Sequence, residues 1–137
     1  MEAFPTLELE SASRFVAELG LTFDTVSPDR VTGHLDIGTQ HHDAWNAVHN
    51  GVYCTVVERA ASVGASRAVA HLGQFAVGTG NATDSFVRDV TGPVRVDARP
   101  VFQDADQQLW EVTITSAGMS ALLARGQLWL QNVPLRR

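Results

Sequence analysis

Lysine is absent from this chain: all ten basic residues among its 137 are arginine. That excludes every mechanism needing an amine, a Schiff base and the lysine of a phosphate-binding loop included. Cysteine is nearly absent too. The single Cys54 permits neither an internal disulfide nor a zinc site built on several thiolates, and is ordinary for a reducing compartment. Positive charge is in deficit. Ten basic residues against fifteen acidic give a formal net charge of -5, so there is no electrostatic footprint for nucleic acid or an anionic membrane. An anionic ligand would have to find local arginines. The opening MEAFPTLELE has neither the basic nor the apolar region of a signal peptide, which makes a cytoplasmic location the default expectation. No linker-like stretch, low-complexity tract or internal repeat interrupts the chain. What is present suffices for a core: 45% hydrophobic and 18% charged residues at a mean hydropathy of -0.02, in a length that fits one domain over residues 1–137.

Hydrophobic spacing then sets the element order. Phe15, Val16 and Leu19 behind a serine cap predict a short amphipathic helix over residues 11–19, ended by Gly20. LTFDTVS and RVTGHLDI read as a hairpin around Pro28-Asp29. Residues 38–50 are polar and aperiodic. Residues 51–70, GVYCTVVERAASVGASRAVA, form a proline-free stretch that is apolar or small around most of its circumference. That pattern predicts a long buried helix, whose Ala, Ser and Gly residues allow a sheet to approach closely. Four β-type runs follow: QFAVGTGNATDSFVRD, VRVDARPVF, QLWEVTITS and ALLARGQLWLQNV, with turns at Asp104-Ala105-Asp106 and Ala117-Gly118. One antiparallel sheet and one long apolar helix close a core only if the sheet curls around the helix. The expected class is therefore α+β, with the hotdog architecture of a curved sheet around a central helix. An uncovered sheet edge and outer face make pairing with a second copy the expectation.

The segment with chemical content is His41-His42-Asp43-Ala44-Trp45-Asn46-Ala47-Val48-His49-Asn50-Gly51, which runs into the long helix. Gly51, Thr55, Glu58 and Ser62 share one helical stripe. A carboxylate with a hydroxyl one turn away, among Val, Ala and Cys, is a candidate general base or nucleophile whose burial would raise its pKa. Free amides at Asn50 and Gly51 are the arrangement that stabilises an oxyanion. The same residues, with Arg59 and Ser66, also fit a solvent-facing stripe. Asp43 taken alone reads as an Asx-turn residue, and His49 as a cap or core histidine.

Val48-His49-Asn50-Gly51-Val52-Tyr53 with Glu58 nine residues after the histidine resembles the H-G-G-x6-[DE] signature of hotdog acyl-CoA thioesterases of the phenylacetic-acid-degradation type, including the 4-hydroxybenzoyl-CoA thioesterase branch. The similarity extends through Asn81–Arg88 and the closing Ala124-Arg125-Gly126-Gln127. The resemblance implies hydrolysis of an acyl-CoA, or of an acyl carrier protein thioester, to free acid and thiol. No metal or redox cofactor is implied. In the roles it implies, Glu58 attacks the thioester or activates water, Ser62 orients that water, the Asn50 N–H polarises the carbonyl, and His49 arranges the oxyanion side. Active sites would form between protomers of a homodimer or dimer of dimers. The strand after the helix would bring Thr83, Phe86, Val87 and Arg88 to the substrate, with Arg88 toward a CoA phosphate.

Three departures from the signature stand out. Asn50 replaces the first glycine of the pair and Asn46 a glycine three before the histidine; Asn tolerates a left-handed backbone best after Gly. Asp43 stands where the family carries a Gln or Asn that donates to the thioester oxygen, and an ionised carboxylate cannot donate. Asp43 also resembles the catalytic acid of another hotdog thioesterase branch, so it competes with Glu58 or forms a coupled pair with it; the helical stripe and Ser62 favour Glu58. Two further readings are a hotdog enoyl-CoA hydratase using Asp43 and His49, and a non-catalytic acyl-CoA binding module. The histidines His34, His41, His42 and His49 lack helical metal-ligand spacing. Trp45, Trp110 and Trp129 read as core and interface residues.

Overall fold

A computed structural model of the chain describes residues 18–135. The expected first helix lies outside the described residues except for its end, where Glu18 and Leu19 are helical and Gly20 follows at φ 79°. Strands β1 (Thr22–Ser27) and β2 (Arg30–Ile37) form the hairpin; a 3-10 turn (Thr39–His41) and a loop lead into the 20-residue helix α1 (Asn50–Val69). Then come β3 (Gln74–Ser85), β4 (Gly92–Gln103), β5 (Gln107–Ser116) and β6 (Leu122–Pro134). All six strands pair antiparallel in the order β1-β2-β4-β5-β6-β3, and α1 packs against every one of them. This is the hotdog fold expected from the element order. No helix of the described residues is long and apolar enough to cross a membrane.

Period-two alternation sets the inner face. Val31, Leu35 and Ile37 of β2, Val94, Val96 and Ala98 of β4, Trp110, Val112 and Ile114 of β5, and Ala124, Leu128 and Leu130 of β6 are buried against Tyr53, Val56, Val57, Ala60, Ala61 and Ala65 of α1. The helix sits unusually low on the sheet. A Cβ at Gly64 would lie 2.5 Å from the Trp110 ring and 2.8 Å from Val31, and one at Gly126 would lie 2.7 Å from Val57. Small residues at these points therefore set the depth of α1. Of the three tryptophans expected in the core or at an interface, Trp110 is core, whereas Trp45 is 83% exposed and Trp129 42%.

The far end of the core is closed by polar groups in which each partner is satisfied. Buried Gln108 donates to the Ala65 carbonyl (2.9 Å) and to Asn132 Oδ1 (2.9 Å), while its Oε1 accepts from Trp110 Nε1 (2.9 Å) and Gln103 Nε2 (3.0 Å). Ser66, assigned to a solvent stripe in one sequence reading, is buried and accepts the Ala76 N–H at 2.9 Å. On β2 and β4, Asp97 meets Arg30 (3.1 Å) and Arg99 (3.3 Å). Burial pushes the Asp97 carboxyl up, but hydrogen bonds from Arg30 and Arg99 outweigh it and hold it below the usual carboxylate range.

Two outcomes follow from this packing. Gly64→Ala should lower the free energy of unfolding by about 1–3 kcal/mol, because the ring of Trp110 must move to admit a methyl group; denaturant unfolding measures it, and an unchanged midpoint contradicts the close approach. Asp97 has a depressed native pKa, so its contribution is present above the unfolded carboxylate pKa and is lost as pH falls through the native value. Wild type should therefore exceed Asp97→Asn in stability at pH 7, by at most about 1 kcal/mol for so exposed a cluster. That gap should close in acid, and one constant with pH would contradict the ion pairs.

Candidate active site

Residues 42–48 fold back on themselves before the helix. The ends meet in a bridge between His42 and Val48, Asp43 N–H donates to the Ala47 carbonyl (2.8 Å), and Asn46 takes the left-handed conformation at φ 62°. Asp43 Oδ1 accepts the amides of Trp45 (2.8 Å) and Ala47 (3.1 Å), an Asx turn. The Ala47 and then the Trp45 amide hold the Asp43 carboxyl below its ordinary range against a smaller opposing effect of burial, and His49 and Arg88 add to the lowering. Asp43 is thus an ionised acceptor. His41 is buried, accepts the Gly38 N–H on Nδ1 (3.0 Å) and donates Nε2–H to the Leu19 carbonyl (2.9 Å); His42 donates Nε2–H to the Val90 carbonyl (2.8 Å). Both rings are spent on holding the loop.

His49 is the N-cap of α1, and no side chain caps the helix. Its N–H donates to the His41 carbonyl (3.0 Å) and its carbonyl accepts from Val52 (2.9 Å). Among the described residues the Asn50 and Gly51 amides have no acceptor, and both residues are exposed, as an open helix N-terminus requires. Asn50 is helical rather than left-handed, so replacing a glycine there needed no special backbone tolerance.

Asn50, Cys54 and Glu58 stand at i, i+4 and i+8, one slanted row of α1, and each meets β3, which runs past the row in the opposite direction. Glu58 Oε2 lies 3.2 Å from where a Cβ of Gly78 would be, the Cys54 carbonyl accepts from Asn81 Nδ2 (2.9 Å), and Asn50 Oδ1 accepts the hydroxyl of Ser85. Thr83 donates to Asn81 Oδ1 (2.6 Å). Ser62 is half-buried one turn beyond Glu58. Glu58 itself is exposed, so the burial expected of it does not come from its own chain.

Of the expected substrate residues, only Thr83 lies on the strand. β3 stops at Ser85 because the Phe86 and Val87 amides both converge on the Leu123 carbonyl (2.8 and 3.1 Å), which ends the ladder and turns the chain back over the helix start. There the Arg88 carbonyl accepts the Val48 N–H (2.7 Å) and the Val87 carbonyl accepts the Tyr53 hydroxyl (2.8 Å). Burial pushes the Tyr53 phenol up to about 12, so it remains a donor. Val87 packs against the core, whereas Phe86 and Arg88 are exposed beside the loop.

Gly78, Asn81 and Ser85 did not emerge from the sequence pattern. A register shift between Gly78 and Gly80 switches the parity of β3, so that Asn81, Thr83 and Ser85 pair with inward-facing Leu128, Gly126 and Ala124. Strict alternation from Gly78 would have turned those three outward. The Gly78-Thr79-Gly80 sequence was the available signal of a bulge.

Residues 46–122 match the family model described as the thioesterase superfamily. A Mycobacterium tuberculosis protein provisionally named as an esterase, Rv1847 in one strain and MT1895 in another, is 39% identical over 125 residues, 89% of this chain and 88% of its own length. The solved structure of Rv1847/MT1895 matches with a TM-score of 0.84 at 36% identity, covering 91% of this chain and 100% of that one. AziG of S. sahachiroi matches with a TM-score of 0.84 at 34% identity, over 90% of this chain and 98% of its own. A Haemophilus influenzae thioesterase, HI1161, has a TM-score of 0.84 at 19% identity over 99% of this chain and 95% of its own, a likeness of fold alone. With relatives this similar across most of its length, the chain belongs to the thioesterase superfamily.

Proposed function

We propose that the chain is an acyl-CoA thioesterase, acting as a homodimer or dimer of dimers, with each active site at the junction of α1 and the β3 region of a second copy. The observation that carries the reading is the position of Glu58. It lies two turns from an uncapped helix start, on an exposed row that follows β3, and β3 is a 12-residue strand at the sheet edge. A long edge that no described strand pairs, beside a half-open helix face, is a surface suited to a second copy. Covering it would also give Glu58 the desolvation its own chain withholds.

In this reading the substrate carbonyl rests against the Asn50 and Gly51 amides, with His49 beside them, and the Glu58 carboxylate faces the carbonyl carbon. Glu58 either takes a proton from a water held by Ser62 or adds directly to that carbon. Addition places negative charge on the oxygen, which the amides hold; collapse breaks the carbon–sulfur bond and releases CoA as thiolate. This gives the free acid directly when water was the nucleophile, or an acyl–Glu58 anhydride that water then cleaves to the free acid and the Glu58 carboxylate. Thiolate is a good leaving group, so no triad is needed. Thr83, Phe86, Val87 and Arg88 of the second copy form the substrate side, with the Arg88 guanidinium available to a CoA phosphate. Asp43 serves the loop: as a carboxylate it cannot donate to the thioester oxygen, and it accepts two amides of the turn.

The test measures thiol release from a panel of acyl-CoA esters. Glu58→Ala should lose about 10²–10⁴-fold in kcat, and Asp43→Asn, whose side-chain oxygen still accepts the Trp45 and Ala47 amides, should retain most activity. The reverse pattern transfers the chemistry to Asp43, and water addition to an enoyl-CoA without thiol release would replace hydrolysis by hydration. Light scattering should give a mass two or four times the 14.8 kDa of one chain; a stable, active monomer would contradict the shared site.

A further inference from the structure

As the thioester carbonyl becomes tetrahedral, its oxygen carries charge that is best met by more than one donor. In the loop before α1, Asp43 cannot be such a donor: it is an acceptor-only carboxylate, and its Oδ1 already takes two amides. On the other flank of the helix start stands the side chain of Asn50. Its Oδ1 accepts the Ser85 hydroxyl, and its Nδ2 points along the helix toward Cys54 Sγ at 3.7 Å. A primary amide has one acceptor oxygen and two N–H donors. With the Ser85 hydroxyl on the oxygen and Cys54 Sγ beside the nitrogen, both ends of the amide are engaged, and the NH2 group lies toward the row that continues to Glu58. A cysteine sulfur is a weak acceptor and engages one N–H at most. Among the described residues the other meets no acceptor, and Asn50 is exposed, so it is available to a ligand.

We infer that Asn50 donates its side-chain amide, together with its backbone N–H, to the thioester oxygen, and that Ser85 is the positioning residue that locks this amide in its donor orientation. The inference rests on the acyl-CoA thioesterase reading. It gives the asparagine a chemical reason: the donor that Asp43 cannot be is supplied from the helix start. Two residues that the sequence pattern leaves unrelated, 35 positions apart, then act as one unit.

The competing account is a plain structural tie between β3 and α1. The two differ in what Asn50→Asp does. That change keeps an oxygen for the Ser85 hydroxyl and therefore keeps the tie, but removes the donor. Steady-state thiol release from hexanoyl-CoA and phenylacetyl-CoA, with melting temperatures of each variant, separates them. Asn50→Ala and Asn50→Asp should both lose on the order of 100-fold in kcat with KM changed less than about threefold. Ser85→Ala should lose about tenfold, and should cost nothing further in the Asn50→Ala background, because the two act through one donor. Full kcat in Asn50→Asp, or losses that multiply in the double variant, would overturn the inference. Wild type that releases no thiol from these two esters or any other in the acyl-CoA panel would instead remove the thioesterase reading, and this inference with it.

Discussion

The close seating of α1 on the sheet is the constraint on which the rest of the structure depends. At Gly64 the helix backbone rests on Trp110 and Val31, and at Gly126 the sheet backbone rests on Val57. Neither contact leaves space for a methyl group, so the helix has one depth and one rotation. That rotation turns Tyr53, Val57 and Ala61 inward and leaves Asn50, Cys54 and Glu58 along the margin of β3. Chemistry is therefore positioned by packing: the carboxylate and the open amides are on one rigid rod whose placement is fixed by contacts on its opposite side.

Two carboxylates near the helix start receive different environments from the same fold. Asp43 is tied by two backbone amides and drawn down by neighbouring positive charge, which commits it to the loop as an anion. Glu58 has an oxygen over Gly78, where the absent side chain leaves it room. The division follows from backbone geometry, since an Asx turn needs the short side chain of Asp or Asn, whereas the longer Glu58 reaches from the helix to β3. His41 and His42 fall on the structural side of this division, each spent on a carbonyl that anchors the loop.

Most of the fold was legible because its elements are strongly periodic: the hairpin, α1 and the last three strands lie within two residues of where alternation and helical spacing put them. The Asx turn at Asp43 was legible as well, from local chemistry alone. The site was less so. The β3 register shift reverses parity within a strand, and no periodic reading anticipates it beyond the glycines that mark it. Phe86 and Arg88 leave the strand because a carbonyl on β6 captures two amides, a tertiary event with no local signature. Trp45 is exposed in the turn that Asp43 closes on its backbone amide. Asn50 is an ordinary helical residue, and its interest lies in a partner on another element.

The most direct measurement of the central claim is a crystal structure with an acyl-CoA analogue in which a methylene replaces the thioester sulfur, leaving a ketone that cannot be hydrolysed. The account predicts the ketone oxygen within hydrogen-bond distance of the Asn50 or Gly51 amide, the ketone carbon facing Glu58, and the acyl or pantetheine chain running between two copies of the protein. A ketone bound beside Asp43 and remote from Glu58, or held wholly within one copy, would contradict it.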